Sequence, residues 1–152
     1  MVSKNTHDAL NSLYQTLQDS RNGYQECAER VADEVATLRF RDLSNKRQQM
    51  LEELKSTVLA KGENLEEKGS LTAAAHRIFV DIKSLFTRGD RKAIVNEIER
   101  GENYLLDTYK KALNEDLTLD IRSLLENQAQ AVQNDLISVK EFYDVHKQHL
   151  SQ

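Results

Sequence analysis

One acidic residue lies in the middle of an apolar helical stripe, where a soluble helix normally has no charge. Glu102 has Ile98, Leu105, Leu106 and Tyr109 as its neighbours at helical spacing, three, four or seven residues away. A carboxylate in such a position is either paired inside the core or takes part in chemistry as a ligand or proton carrier. Which interpretation applies depends on the residues that the other helices place around Glu102.

The same neighbour test finds three more charged residues at the centres of apolar stripes. Each falls near the midpoint of its predicted helix, and in a bundle of equal-length helices the midpoints meet at one height. We therefore predict a buried polar layer in which two cations face two anions. Its predicted members are Arg21, Arg47, Glu102 and Asp135.

This layer has three possible roles. The first is a hydrogen-bonded network, for which arginine is suited because its planar fork can satisfy two carboxylates at once. The second is a metal site, since ferritin-like bundles hold two metals at this height with glutamates and Glu-x-x-His motifs. The third is a pocket for a ligand or partner. The chain contains no Glu-x-x-His, so we favour the structural network, with no catalytic residue and no resident metal.

Composition predicts an all-α protein. The chain has 152 residues, no proline, five glycines and a charged fraction of 30%, which is typical of long, regular helices. This length fits one domain over residues 1–152. The formal net charge of −4 disfavours general nucleic-acid binding, for which a strongly basic balance is usual.

Apolar periodicity and capping residues predict four long helices and one short one. The connections between the four long helices are short, long and short, and the small helix lies inside the long middle connection. This order favours a ferritin-like antiparallel four-helix bundle, because an up-and-down bundle would not need so long a connection between its second and third long helices. The predicted segments run from about Thr6 to Ala32, Asp33 to Lys61, Leu71 to Phe86, Asp90 to Asn114, and Thr118 onward.

The sequence carries no recognisable targeting or membrane signal. Its start, MVSKNTHDAL, lacks the basic and apolar regions of a signal peptide, and no run approaches the roughly 18 apolar residues of a membrane span. These features predict a cytoplasmic protein that does not contact membrane. The single cysteine, Cys27, is interpreted as a small packing residue.

Four stretches of the chain resemble the small bacterial ferritin-like proteins typified by the stress-associated YciE and YciF. The resemblance implies a ferritin-like bundle, a homodimer, a bacterial cytoplasmic location and no established reaction. The stretches are LYQTLQDSRNGYQECAE at 13–29, RQQMLEELKSTVLAKGENLEEKGSL at 47–71, HRIFVDIKSLF at 76–86 and EIERGENYLLDTYKKAL at 97–113.

Two functions from different classes follow. We expect a non-catalytic, stress-associated structural or interaction protein without a cofactor. The alternative is a rubrerythrin-like oxidase or peroxidase that uses iron or manganese. Its metal ligands would be some combination of Glu29, Glu53, His76, Glu99 and Glu102.

Apolar residues outside the main stripes predict a surface that associates with a second copy of the chain. A soluble monomer rarely exposes a large contiguous apolar patch, so such residues often mark an interface. The residues concerned are Leu38, Val80, Leu106 and Leu113.

Overall fold

The described part of the chain folds into α-helices joined by turns and loops. The structure, a computed structural model, describes residues 2–66, 79 and 82–150, with side chains up to residue 142. All regular secondary structure in these residues is α-helix, as composition predicts. The helices are α1 (Lys4–Arg30), α2 (Glu34–Leu59), α3 (Ile82–Arg88), α4 (Arg91–Leu113) and α5 (Leu119–Leu150).

Side chains and glycine fix where the helices begin and end. The Asp33 carboxylate accepts a hydrogen bond from the backbone N–H of Val35, and the Asp90 carboxylate accepts one from Ala93. Gly89, which precedes Asp90, has a φ of +67°, a left-handed conformation that glycine adopts without strain. The predicted breaks at Asp33 and Asp90 are confirmed.

The predicted short helix is only partly covered by the structure. The sequence pattern predicts a helix from Leu71 to Phe86, and the structure has α3 from Ile82 to Arg88. Residues 67–78 and 80–81 lie outside the described residues, so most of the predicted segment stays a prediction.

Neighbouring long helices run antiparallel. Two ion pairs set the direction of α2 against α5, because Lys61 meets Asp120 near one end and Arg47 meets Asp135 near the middle. Contacts at two heights likewise set α1 antiparallel to α2, and α4 antiparallel to α5. Helices α2 and α4 lie diagonally across the bundle and run in the same direction, so the end of α2 and the start of α4 are at opposite ends.

The apolar core consists of two clusters with a polar layer between them. One cluster surrounds Leu13, Leu54 and Leu105, and the other surrounds Phe40, Phe79 and Ile98. Burial of these side chains is the main stabilising contribution to the bundle. No helix in the described ranges has both the length and the apolar composition to cross a membrane.

Candidate functional site

The polar layer is centred on a fully buried arginine. Arg47 lies near the middle of α2, and its guanidinium points into the bundle. Nη2 donates to Oε2 of Glu102 at 2.8 Å, and Nη1 donates to Oδ2 of Asp135 at 2.9 Å. One planar fork therefore binds a carboxylate from α4 and a carboxylate from α5, and both hydrogen bonds are charge-assisted, which makes them stronger than bonds between neutral groups.

Helix α1 supplies two further contacts to the same guanidinium. Arg47 Nε donates to the Ser20 hydroxyl at 3.2 Å, and the guanidinium carbon lies 5.5 Å from the centre of the Tyr24 ring. Arg47 consequently contacts side chains from the three other long helices. We call Ser20, Tyr24, Lys46, Arg47, Glu102 and Asp135 the central polar network.

Asp135 connects the core to the surface. Its Oδ2 faces Arg47, whereas its Oδ1 accepts a hydrogen bond at 3.2 Å from Lys46, whose side chain is 50% exposed. Two cavities along the seam between α2 and α5 meet at this pair. A cavity of about 50 Å³ extends toward Phe142, and one of about 340 Å³ extends toward Glu53.

The structure places Arg21 outside the central polar network. Its side chain is half-buried and donates to Oε1 of Gln48 at 2.6 Å, on the seam between α1 and α2. Successive helical residues are about 100° apart, and it is Ser20 that points at Arg47. The layer thus has one buried cation facing two anions, with Lys46 at the rim, rather than two buried cations.

Burial and charge determine the protonation of the network. Burial raises the pKa of Glu102 above its ordinary value, although the Arg47 guanidinium acts in the opposite direction. Burial would lower the pKa of Arg47, but Glu102 and its other neighbours raise it, so the guanidinium stays charged. Burial, and then the Glu102 charge, raise the pKa of Tyr24 and keep its phenol neutral.

Two fully buried polar atoms of the network are not hydrogen-bonded. They are Oε1 of Glu102 and the Tyr24 hydroxyl. Tyr24 lies close enough to lower the pKa of Glu102, but its hydroxyl and Oε1 do not meet the distance and angle of a hydrogen bond, so both atoms are unpaired.

A second buried polar link lies beside the network. The Tyr109 hydroxyl on α4 donates to Oε1 of Gln128 on α5 at 2.9 Å, and Nε2 of Gln128 donates to the backbone carbonyl of Met50 on α2 at 3.0 Å. This link joins α2, α4 and α5, three of the helices that Arg47 also joins. Its polar atoms are satisfied, as buried groups require.

A phenylalanine from the connection between α2 and α3 packs against Tyr24 of the network. The Phe79 ring stacks edge-on against Tyr24, with centroids 5.0 Å apart. It occupies a notch at Gly23, where an added Cβ would come within 1.7 Å of the ring. Phe79 also has a φ of +55°, a conformation that is uncommon for a bulky residue.

The structure does not bring the predicted metal ligands together. Glu29 is exposed on α1 and Glu53 is exposed on α2. At 1.5 Å per residue from the Arg21 to Gln48 contact, they lie about 20 Å apart along the bundle axis.

Two other predicted ligands, Glu99 and Glu102, bind different cations. Glu99 pairs with Lys140 at 3.2 Å near the surface, whereas Glu102 is fully buried against Arg47. His76 lies outside the described residues. Within the part of the chain that is described, no three histidine, cysteine or acidic side chains are grouped as metal ligands would be.

Three members of the network, Ser20, Tyr24 and Lys46, were not among the four predicted site residues. Ser20 carries no charge, but its helical neighbours, which include Leu13, Leu17 and Tyr24, are all buried, and that signal was present in the sequence. Lys46 had no such signal, because its role depends on where α5 places Asp135. The predicted residues that the structure does bring together are Arg47, Glu102 and Asp135.

Comparison with known proteins identifies the family of the chain. Residues 5–115 match the profile of a domain of unknown function, DUF2383, and a search of curated proteins finds no match. The matched range runs from α1 through α4 and includes Arg47 and Glu102, whereas Asp135 lies beyond it. Because the match covers well over half of its length, the chain belongs to the DUF2383 family.

Proposed function

We propose that this protein is a non-catalytic structural or interaction protein with a ferritin-like bundle. In this proposal the central polar network holds the long helices in register. The observation that carries it is the Arg47 guanidinium, which binds Glu102 and Asp135 at 2.8 and 2.9 Å and also contacts Ser20. The antiparallel helix pairs and the diagonal, co-directional α2 and α4 support the ferritin-like topology.

The donor set argues against a rubrerythrin-like oxidase or peroxidase. Iron or manganese bound to Glu102 or Asp135 would lie close to the Arg47 guanidinium, and like charges a few ångströms apart in a dry core repel strongly. The metal would have to displace a buried cation that has no other carboxylate nearby among the network residues. We therefore assign these carboxylates to Arg47.

The biological setting of the proposal rests on the resemblance to YciE and YciF. That resemblance suggests a homodimer in the bacterial cytoplasm with a role in stress. Membership of DUF2383, whose function is unknown, adds no reaction to this picture. Of the residues predicted for an association surface, Leu38 is 65% exposed and supports contact with another protein. The prediction is wrong for Leu106 and Leu113, which pack against the core of their own chain, and Val80 lies outside the described residues.

Elemental analysis tests the non-catalytic assignment. Protein purified without an affinity tag or chelator should contain iron and manganese at far below one ion per chain. Glu102→Gln, which keeps the shape of the side chain, and the surface variant Glu99→Gln should give the same low content. Stoichiometric metal in the wild type that is lost in Glu102→Gln but kept in Glu99→Gln would overturn the proposal.

A further inference from the structure

The solvent-facing side of α5 has an uncharged stretch. We call it the α5 amide face, because four of its seven residues are asparagine or glutamine. Asp135, the charged residue within this range, points inward to Arg47. The exposed residues of the face are Asn127, Gln130, Ala131, Gln133, Asn134, Ile137 and Ser138.

Absence of charge on this face contrasts with the adjacent helix α2, whose Lys46 and Glu53 line the same cavity as Ala131 and Asn134 of the face. Charged residues make up 30% of the sequence, and the exposed side of α2 carries Asp42, Lys46, Glu52 and Glu53. Depletion of charge is the compositional mark of the centre of a protein–protein interface. The α5 amide face also contains Ile137, a large apolar side chain that is 49% exposed.

The chemistry of the face matches a second copy of itself. In a two-fold dimer, residues near the axis meet copies of themselves or of their close neighbours, so a charge there would be repelled. An amide has both donors and an acceptor and can therefore bind another amide. The Gln130 amide already donates to Asn134 at 3.1 Å one turn along the helix, which shows the pairing that a second copy would extend.

The charges at the two ends of the face select an antiparallel arrangement. Glu126 precedes the face and Lys140 follows it. Both are exposed, and the Lys140 ammonium also pairs with Glu99 of its own chain at 3.2 Å. Glu126 and Lys140 are separated by 14 residues, close to four helical turns, so they lie on the same flank of α5. An antiparallel two-fold copy keeps this flank on the same side and sets Glu126 of each chain near Lys140 of the other, whereas a parallel copy sets each charge at the height of its like-charged counterpart.

We propose that two copies of this chain associate through the α5 amide face, with their α5 helices antiparallel and Gln130 of each copy opposite Asn134 of the other. This inference rests on the proposed homodimer and names its surface. The face is about 18 Å long at 1.5 Å per residue. It is the centre of the interface, and flanking residues such as Glu126 and Lys140 form the rim.

A charge-exchange experiment tests this arrangement. In one variant Gln130 and Asn134 are both replaced by lysine, and in another both are replaced by glutamate. These residues are exposed, and lysine and glutamate are good helix formers, so folding should be unaffected. Sedimentation velocity should show a wild-type dimer and at least tenfold weaker association of each variant. An equimolar mixture of the two variants should recover the dimer, because opposite charges then face each other.

The matched control places the same charges on α1, diagonally opposite α5. Asn22 and Gln25 are exposed there, and replacing both with lysine should leave the dimer unchanged. A wild type that stays monomeric would overturn this inference together with the proposed homodimer. A dimer that tolerates both charge variants would overturn the α5 surface alone. Loss of the dimer in each variant without recovery in the mixture would overturn the antiparallel pairing.

Discussion

Replacing Arg47 with alanine removes the cation that pairs with Glu102. Asp135 keeps its hydrogen bond to Lys46 at 3.2 Å, so the variant strands one carboxylate rather than two. Glu102 would have to remain charged in the core without its partner or take up a proton. Both outcomes lower the free energy of unfolding.

Two independent routes give the size of this loss. Breaking a buried ion pair by removing one partner costs about 3 to 5 kcal/mol. Protonating a glutamate at pH 7 from an ordinary pKa of about 4.3 costs about 3.7 kcal/mol, at about 1.36 kcal/mol per pH unit. For a domain of this size the loss corresponds to a fall in Tm of about 6 to 20 °C.

The protonation route also fixes the sign of the pH dependence. In Arg47→Ala the folded-state pKa of Glu102 is raised further, so protonation favours the folded form. Stability associated with this group is present below its unfolded pKa and is lost as pH rises. The difference between wild type and Arg47→Ala should therefore shrink as the pH is lowered from 7 toward 5.

Urea denaturation at a series of pH values measures this effect. Arg100→Ala is the control, because Arg100 pairs with Glu97 at the surface, is 45% exposed, and should contribute less than about 1 kcal/mol. The double variant Arg47→Met with Glu102→Leu replaces the pair by apolar groups of similar size and should stay within about 1.5 kcal/mol of wild type. Equal stability of Arg47→Ala and Arg100→Ala, or a double variant as unstable as Arg47→Ala, would refute the reasoning.

Three further substitutions probe the surroundings of the network. Gly23→Ala should displace the Phe79 ring and lower the free energy of unfolding by roughly 1 to 3 kcal/mol, despite the better helix propensity of alanine. An unchanged thermal melt with unshifted Phe79 ring resonances would contradict this. Because burial raises the pKa of Glu102, the wild type should gain stability relative to Glu102→Gln as the pH falls through the folded-state pKa of Glu102. Urea titrations that give the same stability difference at every pH would contradict this prediction. Gln128→Leu should cost about 1 to 3 kcal/mol by stranding the Tyr109 hydroxyl, and adding Tyr109→Phe should recover much of the loss in the same assay.

The helical elements could be predicted because each depends on residues of its own segment. Apolar spacing marked the long helices, and Asp33 and Asp90 marked where two of them begin. The same property explains why Arg47, Glu102 and Asp135 could be found, since each is surrounded by apolar residues of its own helix. The ferritin-like topology itself stays a prediction.

The errors arise where one helix determines the role of a residue on another. Ser20 and Arg21 are adjacent on α1, and the rotation of α1 against α2 decides which of them meets Arg47. Lys46 is a surface residue by its own sequence context, and Asp135 gives it a partner. A test confined to one helix cannot supply these rotations.

The position of the network explains why a bundle would keep a costly buried charge. Apolar stripes tolerate a shift of one helix along another, because one leucine can replace the next in a similar contact. A shift of α4 by one turn would move Glu102 by about 5.4 Å and break its 2.8 Å bond to Arg47. The shifted arrangement would then carry an unpaired buried carboxylate at a cost of several kcal/mol, while Arg47 would keep Asp135 and Ser20 but lose Glu102. The double variant Arg47→Met with Glu102→Leu should therefore keep its stability, but shifted helix registers would no longer be penalised in it. Broadened or doubled core resonances in its NMR spectrum would reveal such shifted registers.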